Sequence, residues 1–402
     1  MFDIGIGSST ENNSYFAAQE AIRNAKRSLK NASSINLGIV FHTLDFSASA
    51  VAKAITESLP YTQLVGANGP AIIYEKGIFR HGIVIMLVGF PETVHCSSAV
   101  EKNLRTQNSH LSGKELATKL LYGFKSSQRV FGLFFFNLLG EEKRNFIVGL
   151  QENLGRGFPS LSITANSSFD SSKTTIYCNS EALVDSCVGT LWGGKVSVGL
   201  GIGCGWKPIG KPHQITDASG TVVVAIDDKP AISLYEEYLG LSRNKIIENI
   251  RKFSAIYPLR FGYNDSNYLL SSVISADQNG ALLCQRNVEK GMTVRLMIAT
   301  KETLLEATES AIQEIQESIK SRASSLEKSI PSRFGLVFSA FNRYHILKGD
   351  FQKEVTLINK YLPSMPFIGL CTETLMVSSF QSTSYGQTQF YNHDFALLVV
   401  EG

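Results

Sequence analysis

A chain of 402 residues is long enough for two or three domains. With 44% apolar and 18% charged residues it has the composition of a globular protein with ample core. A net charge of +3, with Lys26-Arg27 and Arg251-Lys252 only as isolated basic pairs, gives no footing for nucleic-acid binding.

The opening residues, MFDIGIGSSTENN, have neither a basic region nor a long apolar stretch, so no secretory signal is expected. The most apolar runs, 81–90 and 130–139, are about ten residues each, short of the roughly 20 that span a bilayer. They read as buried strands, and no membrane insertion is expected. Six cysteines without a CxxC pair or metal-like spacing fit a reduced, cytoplasmic protein. Cys96, beside His95, and Cys204, in a glycine run, read as small packing residues.

The elements repeat as helix, strand, helix, strand. The first copy predicts a helix over 14–30, because Ala18, Ile22, Ala25 and Leu29 share one face. A strand over 36–41, a helix over 47–58 and a strand over 63–66 follow, with a trailing strand at 82–88. A looser middle copy has a helix over 114–124, a strand over 130–136, a helix over 142–153 and a strand over 160–164. Strand-like pieces at 174–178 and 196–200 trail it. A β-rich insert is expected over 196–298, between the second and third copies. Its strands are 221–226, 267–274, 281–284 and 293–298, its turns 217–220, 227–230 and 277–280, and its helices 232–238 and 243–253. The third copy has a helix over 302–322, with Leu304, Thr308, Ile312, Ile315 and Ile319 on its face. A linker-like stretch at 321–332, a strand over 333–338, a helix over 351–361, a strand over 366–369 and trailing strand at 387–400 complete it.

Leu59-Pro60 precedes Gly66, and Leu362-Pro363 precedes Gly369, at the same spacing in the first and third copies. Proline stops each helix, and glycine is expected to permit a sharp turn after the strand. Strand, helix, neighbouring strand implies a right-handed parallel crossover, with trailing strands pairing antiparallel. The fold class expected is α/β to α+β, with duplicated units, mixed sheets covered by helices, and the β-rich insert.

Few motifs carry chemistry. Gly205-x-x-x-x-Gly210-Lys211 nearly spells a phosphate loop, but Pro212 stands where Ser or Thr is needed and strand-like residues follow. Its glycines read instead as points of close backbone approach. Two readings of Trp206 stay open: an aromatic lid over a ligand with Lys207 facing a carboxylate, or a plug at a domain interface. Asp227-Asp228 can ligate a cation or simply make a turn. The seven histidines show no paired spacing, so no metal site is expected. A single neutral imidazole suffices for haem iron, and His42 and His213 are the best placed. No GxSxG elbow or Cys/His/Asp spacing supports an enzyme.

The residues Gly205-Trp206-Lys207-Pro208-Ile209-Gly210, Ile215-Thr216, Asp228, Pro230-Ala231, Tyr235 and Tyr238-Leu239-Gly240 form one distinctive block. Phe334-Gly335-Leu336-Val337-Phe338-Ser339, Pro366-Phe367-Ile368-Gly369 and Asn392 form a second. Together they resemble the FIST family, which pairs an N-terminal with a C-terminal FIST domain. The resemblance implies an N-terminal domain over 1–195 and a C-terminal domain over 196–402. It also implies a sensory protein that binds a small ligand, an amino acid-like metabolite or haem, in a cleft between its halves. Without an attached output segment, the signal would pass to a separate partner protein. Trp206, Lys207, Pro208, Gly210, Asp228 and Arg343 are the ligand-binding candidates, with His42 and His213 as candidate haem ligands. The chain departs from the family where a Gly-Glu pair is common. Those positions read Gly69-Pro70-Ala71-Ile72 and Thr372-Glu373-Thr374-Leu375, so the first carboxylate is lost. A cysteine- and glycine-bearing turn is replaced by Ala340-Phe341-Asn342 before Arg343. The departures leave a second reading open, a protein-interaction scaffold with a degenerate ligand site.

Overall fold

The computed structural model describes residues 1–30, 35–124, 128–137, 142–165, 174–263, 268–323, 333–378 and 388–402. It is 32% helical and 41% strand, with mixed and antiparallel sheets, as the α/β to α+β expectation requires. The repeat is longer than periodicity suggests. Each unit runs opening strand, helix, central strand, helix, parallel strand, hairpin, closing strand. In the first unit these are Asp3–Ser9, Ser14–Ser28, Leu37–Thr43, Ala48–Ser58, Gln63–Gly69, the hairpin Ile72–Tyr74 with Gly77–Phe79, and Ile83–Gly89. The second has Val94–Lys102, Ser109–Tyr122, Arg129–Phe136, Glu142–Leu154, Ser160–Thr164, the hairpin Ile176–Cys178 with Glu181–Leu183, and Ser186–Gly194. The third has Ser197–Gly203, Lys301–Ala323, Arg333–Ala340, the helices Phe341–Leu347 and Gln352–Tyr361, Phe367–Thr372, Thr374–Ser378 with Thr388–Tyr391, and Phe395–Glu401.

Local chemistry explains the helix starts. Asn13 caps the first helix by accepting from the Tyr15 and Phe16 amides, and Ser47 caps the second through the Ala50 amide. In every unit the central strand pairs parallel with the strand after the second helix and antiparallel with the closing strand, giving the mixed sheets expected. The hairpins then leave their own units. The first unit's hairpin pairs with Phe367–Thr372 of the third. The second's pairs with Gln63–Gly69 of the first. The third's pairs with Ser160–Thr164 of the second. Three six-stranded sheets are thereby tied in a closed circle. Their inner faces meet in one core, where Phe41 of the first central strand lies 5.9 Å from Phe135 and 6.0 Å from Phe338, its counterparts in the other two.

Several expectations change. The opening strands of the first two units were not foreseen, and 196–200 is the opening strand of the third unit, not a trailer of the second. The insert therefore lies inside the third unit, between that strand and the helix Lys301–Ala323. Gly66 and Gly369 lie within strands and make no turn. A Cβ on either would stand 2.0 Å from the Val40 or Val337 carbonyl oxygen of the neighbouring central strand. Lastly, the Trp-Lys-Pro-Ile-Gly stretch, read as a turn, opens the long strand Lys207–Ser219, whose register breaks between Ile209 and His213. Pro208 is tolerated because 207–209 pair on one side only, with Thr293–Ile298.

The insert forms its own sheet and core, with Ile215, Tyr235, Ile246, Leu259 and Val294 among the buried residues. Helices Ser233–Leu239 and Arg243–Ile256 cover it. The strand expected over 267–274 is two strands, Tyr268–Ser271 and Val273–Ala276, at opposite ends of that sheet, and Asn267 lies outside the described residues. Most of the linker-like stretch 321–332 also lies outside them.

Candidate functional site

The residues of the distinctive block build the insert. Asp227 and Asp228 both have positive φ, 48° and 60°, which makes them the two central residues of a tight hairpin turn. Asp228 is exposed, and its amide donates to Thr216 Oγ1 at 3.0 Å. Asp227 accepts from the Gln214 amide at 2.8 Å and holds His213 Nδ1 at 2.7 Å. Tyr238 packs on Gly210 so closely that a Cβ there would overlap its hydroxyl. Tyr235 is buried and donates to the Tyr257 carbonyl at 2.9 Å. Lys207 and Pro208 face solvent on the strand. Lys207, Pro208, Gly210 and Asp228 are thus exposed, whereas Arg343 is buried in the third unit.

Arg343 is fully buried, and all five of its N–H donors are taken. Nε donates to Glu354 at 2.9 Å, Nη1 to the Gly203 and Cys204 carbonyls, and Nη2 to the Leu304 carbonyl and Thr308 Oγ1. No donor remains for a ligand, so the expected binding role is corrected to a structural one. Neither candidate haem ligand fits an iron. His42 is fully buried and donates from Nδ1 to the Thr43 carbonyl at 2.8 Å, so Nε2 accepts from the Tyr177 hydroxyl at 2.6 Å. His213 offers only Nε2, and the Tyr238 hydroxyl stands 3.5 Å from it.

A different set of side chains meets beyond the carboxyl ends of the parallel strands Arg333–Ala340 and Phe367–Thr372, the place where open α/β sheets bind ligands. The closing strand's approach supplies Asn392, His393 and Asp394. The loop after the opening strand supplies Cys204 and Trp206. The insert supplies Ser272, Gln285 and Arg286, and Glu373 follows the parallel strand. His393 is fully buried; Asn342 Nδ2 donates to its Nδ1 at 3.1 Å, so Nε2 carries the proton and faces Ser272 Oγ at 3.1 Å. Burial, with the Arg286 charge, pushes its pKa down to about 3, leaving it neutral. The Trp206 ring stands edge-on to it at 5.1 Å, and the indole N–H donates to the Ile256 carbonyl. Trp206 is thus buried at the junction of insert and third unit.

Asp394 is nearly buried, which pushes its pKa up to about 6 against the pull of the His393 amide, Arg343, the Cys204 thiol and Arg286. Burial likewise raises the Glu373 carboxyl, opposed by Lys143, Arg251 and Gln285. Gln285 links the two halves of the cluster: its Nε2 donates to Glu373 Oε1 at 3.2 Å and its Oε1 accepts from Asn392 Nδ2 at 3.0 Å. Asn392 Oδ1 and Thr372 Oγ1 are buried without a hydrogen-bond partner among the described residues. Two carboxyls, cationic side chains and unsatisfied acceptors around one junction suit a small polar molecule bearing hydrogen-bond donors.

Of this set, Trp206, Asn392 and Glu373 were legible as sequence. His393, Asp394, Arg286, Gln285 and Lys143 were missed. Lys143 left a signal: it lies three and seven residues before Phe146 and Leu150, on the buried stripe of its helix. Among the described residues no group of three or more His, Cys, Asp and Glu is gathered to hold a metal ion. No helix among them is long and apolar enough to cross a membrane.

The FIST N domain model matches residues 36–229, and the FIST C domain model matches residues 231–374. The chain belongs to the FIST family. FIST domains are associated with sensory signalling and small-ligand binding. This FIST protein is 24% identical over 266 residues to an uncharacterised protein of Methanocaldococcus jannaschii, covering 61% of this chain and 50% of that relative. It thus spans about half the length of the curated relative it matches. Among solved structures, 3-oxoacyl-[acyl-carrier-protein] synthase III from Aquifex aeolicus VF5 aligns with 48% of this chain and 100% of its own, at 11% identity. Its TM-score of 0.21 carries no argument about fold or function.

Proposed function

We propose that this FIST protein is a cytoplasmic sensory protein, not an enzyme, that binds a small amino acid-like metabolite and signals through a separate partner. The supporting observation is the cluster of His393, Asp394, Glu373, Arg286 and Asn392, which buries charge of both signs and leaves acceptor oxygens unsatisfied. Buried polar groups are normally paired, and those left open mark where an external donor belongs. The cluster draws on the insert and the third unit. A ligand bridging them favours one arrangement of the two, which is what a sensor needs. All six cysteines are free thiols, in keeping with a reducing compartment.

The test is thermal unfolding and native mass spectrometry across the amino acids and small hydroxy acids. At least one compound is expected to raise the melting temperature of the natural chain and to be retained as added mass, and Asn392→Leu is expected to abolish both. A panel in which nothing binds, with a clean ligand-free mass, would sink the reading.

A further inference from the structure

We infer that the first unit carries a docking surface for an acidic segment of a protein partner, laid along the outer face of the helix Ser14–Ser28 and the groove between it and the helix Ala48–Ser58. The inference rests on the reading above only in that a separate partner is engaged, and it uses no residue of the candidate ligand site.

The groove is open to solvent, about 550 Å³ in volume, with Arg23, Lys26, Arg27 and Glu57 in its lining. Two of these are accounted for by the fold. Lys26 Nζ donates to the Ser58 carbonyl at 2.8 Å, at the C-terminal end of the second helix, where a cation is favoured. Glu57, the one carboxylate in the lining, accepts from the Tyr15 hydroxyl. Arg23 and Arg27 are different. Both are exposed, and neither guanidinium makes a hydrogen bond or ion pair with any described residue. They stand four residues apart, one above the other on the helix, where like charges repel. The helix dipole favours Arg27 in the last turn but not Arg23, a turn further in.

Phe16, 59% exposed, lies seven and eleven residues before the two arginines, which puts all three on one helix face. Aromatic residues and arginine are the types enriched at protein interfaces. Charge complementarity names the occupant. Guanidiniums one helical turn apart match carboxylates about 6 Å apart, the separation of Glu side chains at i and i+4 of a partner helix. Each guanidinium fork can take one carboxylate through two N–H donors. An apolar side chain beside the carboxylates would cover Phe16. A nucleic acid needs basic surface that runs on past the groove, and the neighbouring helix Ala48–Ser58 carries only Lys53 and Glu57, whose charges cancel.

The experiment follows the fluorescence anisotropy of a labelled peptide of Glu, Leu and Ala, with Glu at i and i+4, titrated with the full chain. The same peptide with Gln for Glu, single-stranded RNA and phosphatidylserine vesicles are the competitors. The Glu peptide is expected to bind, more weakly as salt rises, and the Gln peptide not to compete. Arg23→Gln with Arg27→Gln is expected to lose at least tenfold in affinity and Phe16→Ser severalfold. Lys252→Gln, which removes an exposed cation of the insert, is expected to change nothing. Because the two arginines repel, the double variant is expected to melt no lower than the natural chain. Absence of binding, equal binding of the Gln peptide, or binding that survives the double variant would overturn the inference. So would RNA or vesicles that displace the peptide better than its unlabelled form, since the surface would then read phosphate. A melting temperature several degrees lower in the double variant would make the arginines structural and overturn it too. The amino acids and hydroxy acids are tested on the same variant and are expected to give the shifts seen with the natural chain. Peptide binding without a response to any of them removes the sensory reading and leaves the docking surface; a response without peptide binding does the reverse.

Discussion

Replacing Arg343 by methionine separates a structural arginine from a ligand-binding one. The side chain is fully buried and ties the short helix Phe341–Leu347 to the end of the opening strand, through Gly203 and Cys204, and to the helix Lys301–Ala323, through Leu304 and Thr308. Its charge is met by Glu354, 2.8 Å away and itself 1% exposed. Removing one partner of such a buried pair costs about 3–5 kcal/mol, because the other charge is stranded. The carbonyls that lose a donor add to this at about 1 kcal/mol each at most. A destabilisation of about 5 kcal/mol is therefore expected from urea unfolding followed by far-ultraviolet circular dichroism. The double variant Arg343→Met with Glu354→Met removes both charges and is expected to recover several kcal/mol, giving a large favourable coupling in the cycle. A single variant within about 1 kcal/mol of the natural chain, or a double variant no better than the single, would refute the structural assignment.

Two other perturbations follow from the same coordinates. Burial holds His42 down from 6.5 to about 4 and His393 to about 3, so the unfolded chain takes up these protons first and stability falls as pH drops below 6.5. Asp394, pushed from 3.8 up to about 6, works the other way, since the folded chain takes its proton first. For these three groups the balance between pH 6 and 4 is about one proton, or about 1.4 kcal/mol per pH unit, and His42→Asn is expected to make the profile shallower by about that amount; no change on His42→Asn would count against a buried neutral histidine. Gly203→Ala would place a Cβ 2.2 Å from the Ala307 carbonyl oxygen, and Gly349→Ala would meet nothing within 4 Å. The first is expected to destabilise by about 1–3 kcal/mol and the second by less than about 0.5 kcal/mol in the same urea assay, and equal effects would show that the helix does not pack directly on the strand.

Elements with a strong internal period were legible. The helices around Ile22, Leu150 and Ile312 and the three central strands lie within a few residues of their expected places. The first unit's opening strand was not, because Gly5 and Gly7 give it little strand character by type, and the third's was seen only as far as 200, short of Gly201 and Gly203. Those glycines are there for contact: in both units a Cβ would strike the backbone of the covering helix, at Ala21 and Ala25 or at Ala307 and Ala311. The hairpin exchange was invisible because it pairs residues about one to three hundred apart, such as Ala67 with Ile176 and Ile73 with Gly369, and no local pattern encodes a partner. The candidate site was hidden for the same reason. Trp206 and Glu373 stood out by type, whereas His393, Arg286 and Lys143 gain their meaning only from burial and from each other.

The circle of three also bears on why the candidate site lies at the third unit's end. The amides of Thr43, Asn137 and Ala340 donate to the carbonyls of Gly82, Ser186 and Asp394, which makes those three residues structural counterparts. Gly66 and Gly369 face equivalent central-strand valines, which makes Pro70 the counterpart of Glu373. Charge has therefore been placed at the third end where glycine, serine and proline stand elsewhere. The third unit is also the one interrupted by the insert, which roofs that end with Ser272, Gln285 and Arg286. Ionisable groups at an open strand end would remain solvated and their pKa values ordinary. Under the roof, Asp394 and Glu373 become costly to ionise and His393 costly to protonate. Insertion and charge coincide at this end: the insert supplies the enclosure, and the enclosure is what shifts the ionisation of Asp394, Glu373 and His393.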